Sequence, residues 1–325
     1  MYSFGRSLSP KMNSSPSVVP VSPSICVERP ADERGLLPPS WVGRLLGREA
    51  RSIPVLAPAG ARISLEVTRG EGFCFASVRI RNARGLGREA LHEATAGAYR
   101  RIEAELRVRQ APHPVRLWNH IPGIHEPMGE GQDRYMIFNA GRYEALSAWF
   151  GRETFDTRVA TASGVGHDGR DLIIHCLAAD RPGRAVDNPR QIKPYQYSTK
   201  YGPLPPCFVR ATVLPLEDGP LLLVGGTASI VGEESVHLGD LERQTEETLA
   251  NLAVLVQAAA GQPTPAPLAG YREIRVYFSK TDQLAALQDL LKDAFPNAAG
   301  IEWIHADLCR SELLVEIEGV VDLPA

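Results

Sequence analysis

The order of patterns along the chain predicts an α+β protein made of two tandem units, each a mixed sheet with helices packed on one face. Three observations lead there. Period-2 apolar runs such as ARISLEVTR and GFCFASVRIR come in pairs around turn residues. Longer stretches between them carry the 3.6-residue spacing of amphipathic helices. The mixture occurs twice in 325 residues, a length that holds two domains of ordinary size.

Composition narrows the class. Hydrophobic residues make up 44% of the chain, enough for a sizeable core. With 35 basic against 38 acidic side chains, no overall field recruits nucleic acid or an anionic membrane. No apolar run approaches the roughly 20 residues of a membrane-spanning helix. The opening MYSFGRSLSPKMNSSPSVVPVSPS lacks the uninterrupted apolar stretch of a secretory signal, and residues 1–40 read as a disordered Ser/Pro-rich arm. Five scattered cysteines, Cys26, Cys74, Cys176, Cys207 and Cys309, form no CxxC pair and are odd in number. That pattern points to a reducing cytoplasm, not a disulfide framework. Eight histidines form no HExxH and no Cys/His cluster, so neither metal nor cofactor is expected.

Residues 41–130 read as the first, abbreviated unit. Its two opening strands join across RGEG, whose glycines suit a tight turn. Residues 86–110 form a helix with Leu91, Ala94, Ala98, Ile102 and Leu106 along one stripe. PVRLWNHIP is a further strand, and the irregular residues 111–132 supply the boundary.

Residues 131–325 form the second unit. Asn139 suits the cap of a helix that packs through Tyr143, Leu146, Ala148 and Phe150. TRVATASGV and DLIIHCLAA read as a hairpin around GHDGR. The literal GxGxxG there, Gly164, Gly166 and Gly169, runs into a β-rich segment where a dinucleotide site needs a helix N-terminus, so it marks a turn. FVRATVLPL and PLLLVGGTASIVG are strands, with Gly225 and Gly226 either letting backbone approach a ligand or marking a bulge. A helix over residues 238–259, the strand REIRVYFS, a helix capped by Thr281 or Asp282, and the strand pair IEWIHADL and LLVEIEG close the unit. Ser229 lies outside any GxSxG elbow.

Two stretches carry chemistry. Residues 181–209 hold six prolines and three tyrosines among Arg184, Arg190, Lys193 and Lys200, followed by Arg210. A loop this long usually binds or covers something. Phenols and guanidinium forks suit a small, flat, anionic ligand. In the closing strand, Glu316 lies on the parity opposite Val315 and Ile317, and Cys309 and Arg310 sit seven and six residues upstream. That carboxyl faces either solvent or a partly apolar pocket, and a pocket raises its proton affinity into the range useful for acid–base work.

The run NPRQ, YQY, YGP and P.F.RA, then GGTASIVGEES.H.GD with its following Q, E and N, then C…LLVEIE, resembles the chorismatases over residues 115–321. The resemblance implies a RidA-like fold used twice and the release of pyruvate from chorismate without a cofactor. It assigns Glu316 as catalytic acid, Arg210 as a carboxylate clamp, Tyr195 and Tyr201 as ring-lining residues, and Arg142 as a second clamp. A cysteine seven residues before that glutamate implies the branch that forms 3-hydroxybenzoate, some members also releasing 4-hydroxybenzoate, with Cys309 shaping the outcome. The other branch hydrolyses chorismate to a dihydroxycyclohexadiene carboxylate. A RidA-like imine deaminase and a non-catalytic aromatic-acid binder are the competing readings. The expected partner is a small-molecule substrate, chorismate, with no nucleic acid and no membrane; the expected state is a monomer, with an oligomer left open.

Overall fold

A computed structural model describes residues 26–27, 33–55, 60–151, 153–263 and 266–324. Most of the expected Ser/Pro arm lies outside these residues. The first unit contains β1 (Arg51–Pro54), β2 (Ile63–Arg69), β3 (Phe73–Ile80), α1 (Arg88–Val108), β4 (His113–Pro122), α2 (Arg134–Phe150), β5 (Thr161–His167) and β6 (Leu172–Ala179). The second contains β7 (Arg184–Val186), β8 (Ala211–Leu216), β9 (Gly219–Ala228), α3 (Leu241–Ala260), β10 (Tyr271–Phe278), α4 (Leu284–Leu291), β11 (Ile301–His305) and β12 (Val315–Asp322).

The sheet orders are β1-β2-β3-β6-β4-β5 and β7-β8-β9-β12-β10-β11, the same order written twice. In each unit the third and fourth strands are joined by one helix and the fourth and fifth by another. The fourth and fifth strands are the parallel pair, as a helical crossover requires. A two-residue strand, Cys26–Val27, extends the second sheet beside β11.

This topology corrects the expected boundary at residue 130. β5 and β6 complete the first sheet, so the first unit runs to about residue 179 and is not abbreviated. GHDGR is a turn but not a hairpin, because β4 inserts between β5 and β6. The closing strands are likewise separated by β10. Local alternation identifies strands but does not fix their neighbours. Asn139 is an interior residue of α2, whose cap is Asp133: its carboxylate accepts the Met136 backbone N–H at 2.8 Å. Gln283, not Thr281 or Asp282, precedes α4, and no side chain caps it.

Each sheet carries its helices on one face. Leu91, Ala98, Ile102 and Leu106 of α1 pack with Val67, Val78 and Ile174. Leu252, Leu255 and Val256 of α3 pack with Val276, Ile317 and Val321. The helix-free faces meet each other. Phe75, Trp118 and Leu177 of one contact Leu214, Leu223 and Val320 of the other, beside the short helix Trp41–Leu46. At the far end Val165 meets Ala228, Tyr277 and Ile304. Both faces of β12 are therefore buried, and its inward row, Glu316, Glu318 and Val320, points into the seam.

The seam also holds His120 and His175, with ring centres 5.6 Å apart. His175 Nε2 lies 2.7 Å from the Leu36 carbonyl oxygen. Burial pushes the His175 imidazole down to about 4 and His120 well below its ordinary value. The unfolded chain takes up these protons at about pH 6.5, whereas the folded chain resists them. Stability is therefore complete above that pH and falls as pH drops toward 4, by roughly 3 kcal/mol from His175 alone. Urea midpoints measured at pH 7.5 and 4.5 check this, and His175→Phe reduces the difference between them.

Candidate active site

The site forms where the edge strand β5 meets β9 across the seam. Thr161 Oγ1 and Thr212 Oγ1 hydrogen-bond at 2.7 Å, and the Gly166 N–H donates to the Asp307 carbonyl at 2.7 Å. β9 is bulged between Val224 and Thr227. The two glycines mark that bulge, and the close approach they allow is to other parts of the chain. A Cβ on Gly225 would stand 2.8 Å from the Ala162 carbonyl oxygen. One on Gly226 would stand 1.8 Å from Glu316 Oε1. The Glu316 carboxyl thus occupies the space that a side chain at 226 would need.

Beside this bulge lies a cavity of about 200 Å³. Glu316 and Ser163 stand on its sheet walls, Tyr135 and Arg142 come from α2, and Cys309 and Arg310 come from the turn before β12. Tyr197, Tyr201, Phe208 and Arg210 close it from the long loop. Of the six residues singled out in the sequence, Glu316, Cys309, Arg210, Tyr201 and Arg142 share this cavity.

Tyr195 does not. It packs edge-on against Phe155, 5.9 Å between ring centres, on the first unit's core. Residues 194–196 form a 3-10 turn, in which side chains two apart point to different sides. Tyr197 takes the position expected of Tyr195. Its hydroxyl accepts a hydrogen bond from Arg210 Nη2, and its ring lies 5.3 Å from that of Tyr201.

Glu316 is 4% exposed, and its carboxyl is pushed up to about 8. Burial is the main cause. The neighbouring Glu318 carboxylate pushes the same way, and Arg116 and Arg210 oppose it. The acid is therefore protonated at neutral pH. Cys309 is pushed up to about 12, chiefly by burial and next by Glu316, so it is a thiol and not a thiolate.

The cations are arranged differently. Arg142 and Arg210 are 1% and 4% exposed, yet among the described residues neither has a carboxylate partner. Arg142 Nη2 donates to Asn139 Oδ1 at 2.8 Å. The buried Nε of each arginine has no acceptor. Arg310 stacks 3.8 Å above the Tyr201 ring and donates to the Glu233 carbonyl at 2.8 Å. Buried guanidinium groups left without counter-charges make a site that gains stability when an anion fills it.

Several residues of the sequence motifs are framework. Arg190 of NPRQ pairs with Glu247 at 2.6 Å, and its guanidinium also donates to Asn251 Oδ1 at 3.0 Å. Gln191 Nε2 donates to the Ile230 carbonyl at 3.0 Å. Gln244 spans the turn behind Cys309, accepting from the Leu314 N–H at 2.8 Å and donating to the Glu312 carbonyl at 3.0 Å. Together they moor the long loop and the Cys309 turn to α3. Arg310, Tyr197 and Ser163 line the cavity although only Arg310 stood out in the sequence, through its place beside Cys309.

Residues 56–178 match the family described as chorismatase FkbO/Hyg5-like, N-terminal, which is the first sheet unit. The chain is 36% identical over 238 residues to a 3-hydroxybenzoate synthase of Streptomyces hygroscopicus, covering 70% of this chain and 69% of the relative. It is 32% identical over 258 residues to a chorismatase of the same organism, covering 78% and 73%. The crystal structure of a chorismatase superposes with a TM-score of 0.71 at 29% identity, covering 79% of this chain and 77% of that one. By sequence and by fold, this chain belongs to the chorismatase family.

Proposed function

We propose that this protein cleaves chorismate to pyruvate and 3-hydroxybenzoate, with Glu316 as the acid that starts the reaction. The observation carrying this reading is a protonated carboxyl buried in the same cavity as Arg142 and Arg210, two guanidinium groups without carboxylate partners. Chorismate brings two carboxylates, a flat ring and an enol ether, and each has a counterpart here. The relative named 3-hydroxybenzoate synthase supports the choice of product.

The enol ether is the reactive group. Glu316 gives its proton to the terminal methylene carbon, which becomes a methyl group, and the ether carbon becomes an oxocarbenium centre. Arg210 and Arg142 hold the two carboxylates so that this carbon faces the acid, and the Glu316 carboxylate left behind steadies the cation. The ring hydroxyl next to the ether then attacks the ring carbon bearing the ether oxygen. That C–O bond breaks, and its electron pair completes the ketone of pyruvate. The hydroxyl proton is released and an epoxide remains. Ring opening and loss of a ring proton give the phenol, and one proton returns to Glu316. No water is consumed.

Entry of water at the oxocarbenium carbon would give the dihydroxycyclohexadiene carboxylate instead. The uncharged, weakly polar Cys309 thiol occupies space beside Glu316 and provides no base to activate such a water. Tyr197 and Tyr201 complete the wall over the ring.

Glu316→Gln keeps the shape and removes the proton, so pyruvate release falls about 10²–10⁴-fold at pH 7; a lactate dehydrogenase-coupled assay reads it directly. Because the protonated form is competent, kcat/KM is level below the Glu316 midpoint. It falls tenfold per unit as pH rises past about 8. Cys309→Ala opens room for water, and chromatography of its products shows the diene diol rising at the expense of 3-hydroxybenzoate. An unchanged product ratio removes Cys309 from the choice of product.

A further inference from the structure

Glu318 lies two residues beyond the acid on the same inward row of β12 and is 2% exposed. Its carboxylate is held on three sides. Arg116 Nη2 donates to Oε2 at 2.7 Å, Trp118 Nε1 donates to Oε1 at 2.8 Å, and the Ser163 hydroxyl donates to Oε2. Ser163 Oγ also accepts the Gly226 backbone N–H at 2.9 Å, and Gly226 is the residue against which the Glu316 carboxyl rests. One hydroxyl thus touches both the bulge that seats the acid and the second carboxylate. Glu318 itself does not line the active cavity; it borders a separate cavity with Trp41 and Arg275 on the other side of the wall.

We infer that Glu318 is a positioning residue for the reaction, a fixed negative charge that keeps Glu316 in its proton-bearing form while Ser163 holds the Gly226 bulge in place. The inference rests on Glu316 being the acid proposed above. The Glu318 carboxylate, with three donors directed at it, makes a second negative charge nearby costly, and that cost falls on ionisation of Glu316. Arg116 and Arg210 favour its ionisation, Cys309 and Tyr135 are uncharged, and Arg142, Arg310, Asp133, Glu312 and His125 line the same cavity. Tyr277 lies opposite Glu316 on the adjoining strand, and Arg275 lies opposite Glu318. Glu318 is thus the charge that works with burial to keep the proton on Glu316, against the two arginines.

The test is infrared titration of the Glu316 carboxylic acid band, identified by its absence in Glu316→Gln, alongside the pH profile of pyruvate release. Glu318→Gln keeps the side-chain shape, turns one accepting oxygen into a donor and removes the charge. The expected result is a band midpoint, and with it the alkaline limb of the profile, lowered by about one pH unit or more. Ser163→Ala keeps the charge, so its midpoint stays while its kcat falls. If Glu318→Gln does not fold, the double variant Glu318→Gln/Arg116→Met removes the buried pair without stranding a charge, and its midpoint also falls, by less. A midpoint unmoved in whichever variant folds overturns the inference. The infrared readout needs no substrate, so it decides the matter even if the wild type releases no pyruvate and the chorismatase reading itself fails.

Discussion

The contact between the Glu316 carboxyl and the Cα of Gly226 is the constraint on which the rest of this structure depends. A carboxyl can be seated between two sheets only where one strand gives up a side chain and the ladder yields a bulge. That requirement fixes the glycine pair, places the edge strand β5 against the bulge, and brings Ser163 within reach of the Gly226 N–H. The surrounding apolar seam then makes the charged form of the acid unfavourable. Fold and chemistry meet here, since the burial that joins the two sheets also keeps the proton on Glu316.

The cavity is electrostatically unfinished. Elsewhere in the protein buried cations have partners: Arg116 has Glu318, Arg275 has Glu302, and Arg134 has Glu126. Arg142 and Arg210 instead rely on aromatic faces, an amide oxygen and a phenol. Such contacts hold a guanidinium in direction without neutralising it. The cavity thus holds two oriented guanidinium groups with no carboxylate partner among the described residues.

Much of this was legible in the chain. Alternation located nearly every strand. Glu316, Cys309 and Arg210 stood out because a carboxyl inside an apolar strand and a Tyr/Pro-rich loop among cations are chemically conspicuous; Arg142, inside α2, came only from the family resemblance. What escaped was set by long-range pairing. The first unit ends near residue 179 because β6 lies between β3 and β4, an insertion that alternation does not reveal. Tyr195 and Tyr197 exchanged places because one 3-10 turn separates them, and local sequence does not fix the orientation of such a turn. Ser163 is one small residue in an ordinary strand; its importance comes from Glu318, 155 positions away. Asn251 and Gln244 matter as anchors, a role that a motif records without explaining.

The repeated strand order carries a last implication. In the first sheet the third and sixth strands pair in unbroken register, with Ser77 opposite His175 and Phe75 opposite Leu177. The inward row that holds Glu316 and Glu318 in the second sheet is there occupied by Ile173, His175 and Leu177. No bulge interrupts this ladder and no carboxyl enters the seam from it. Two copies of one fold, joined in a single chain, have thus diverged in role: one remains a regular wall, and the other has traded regularity for reactivity. Identical subunits, bound to share every substitution, have no means of making that division of labour.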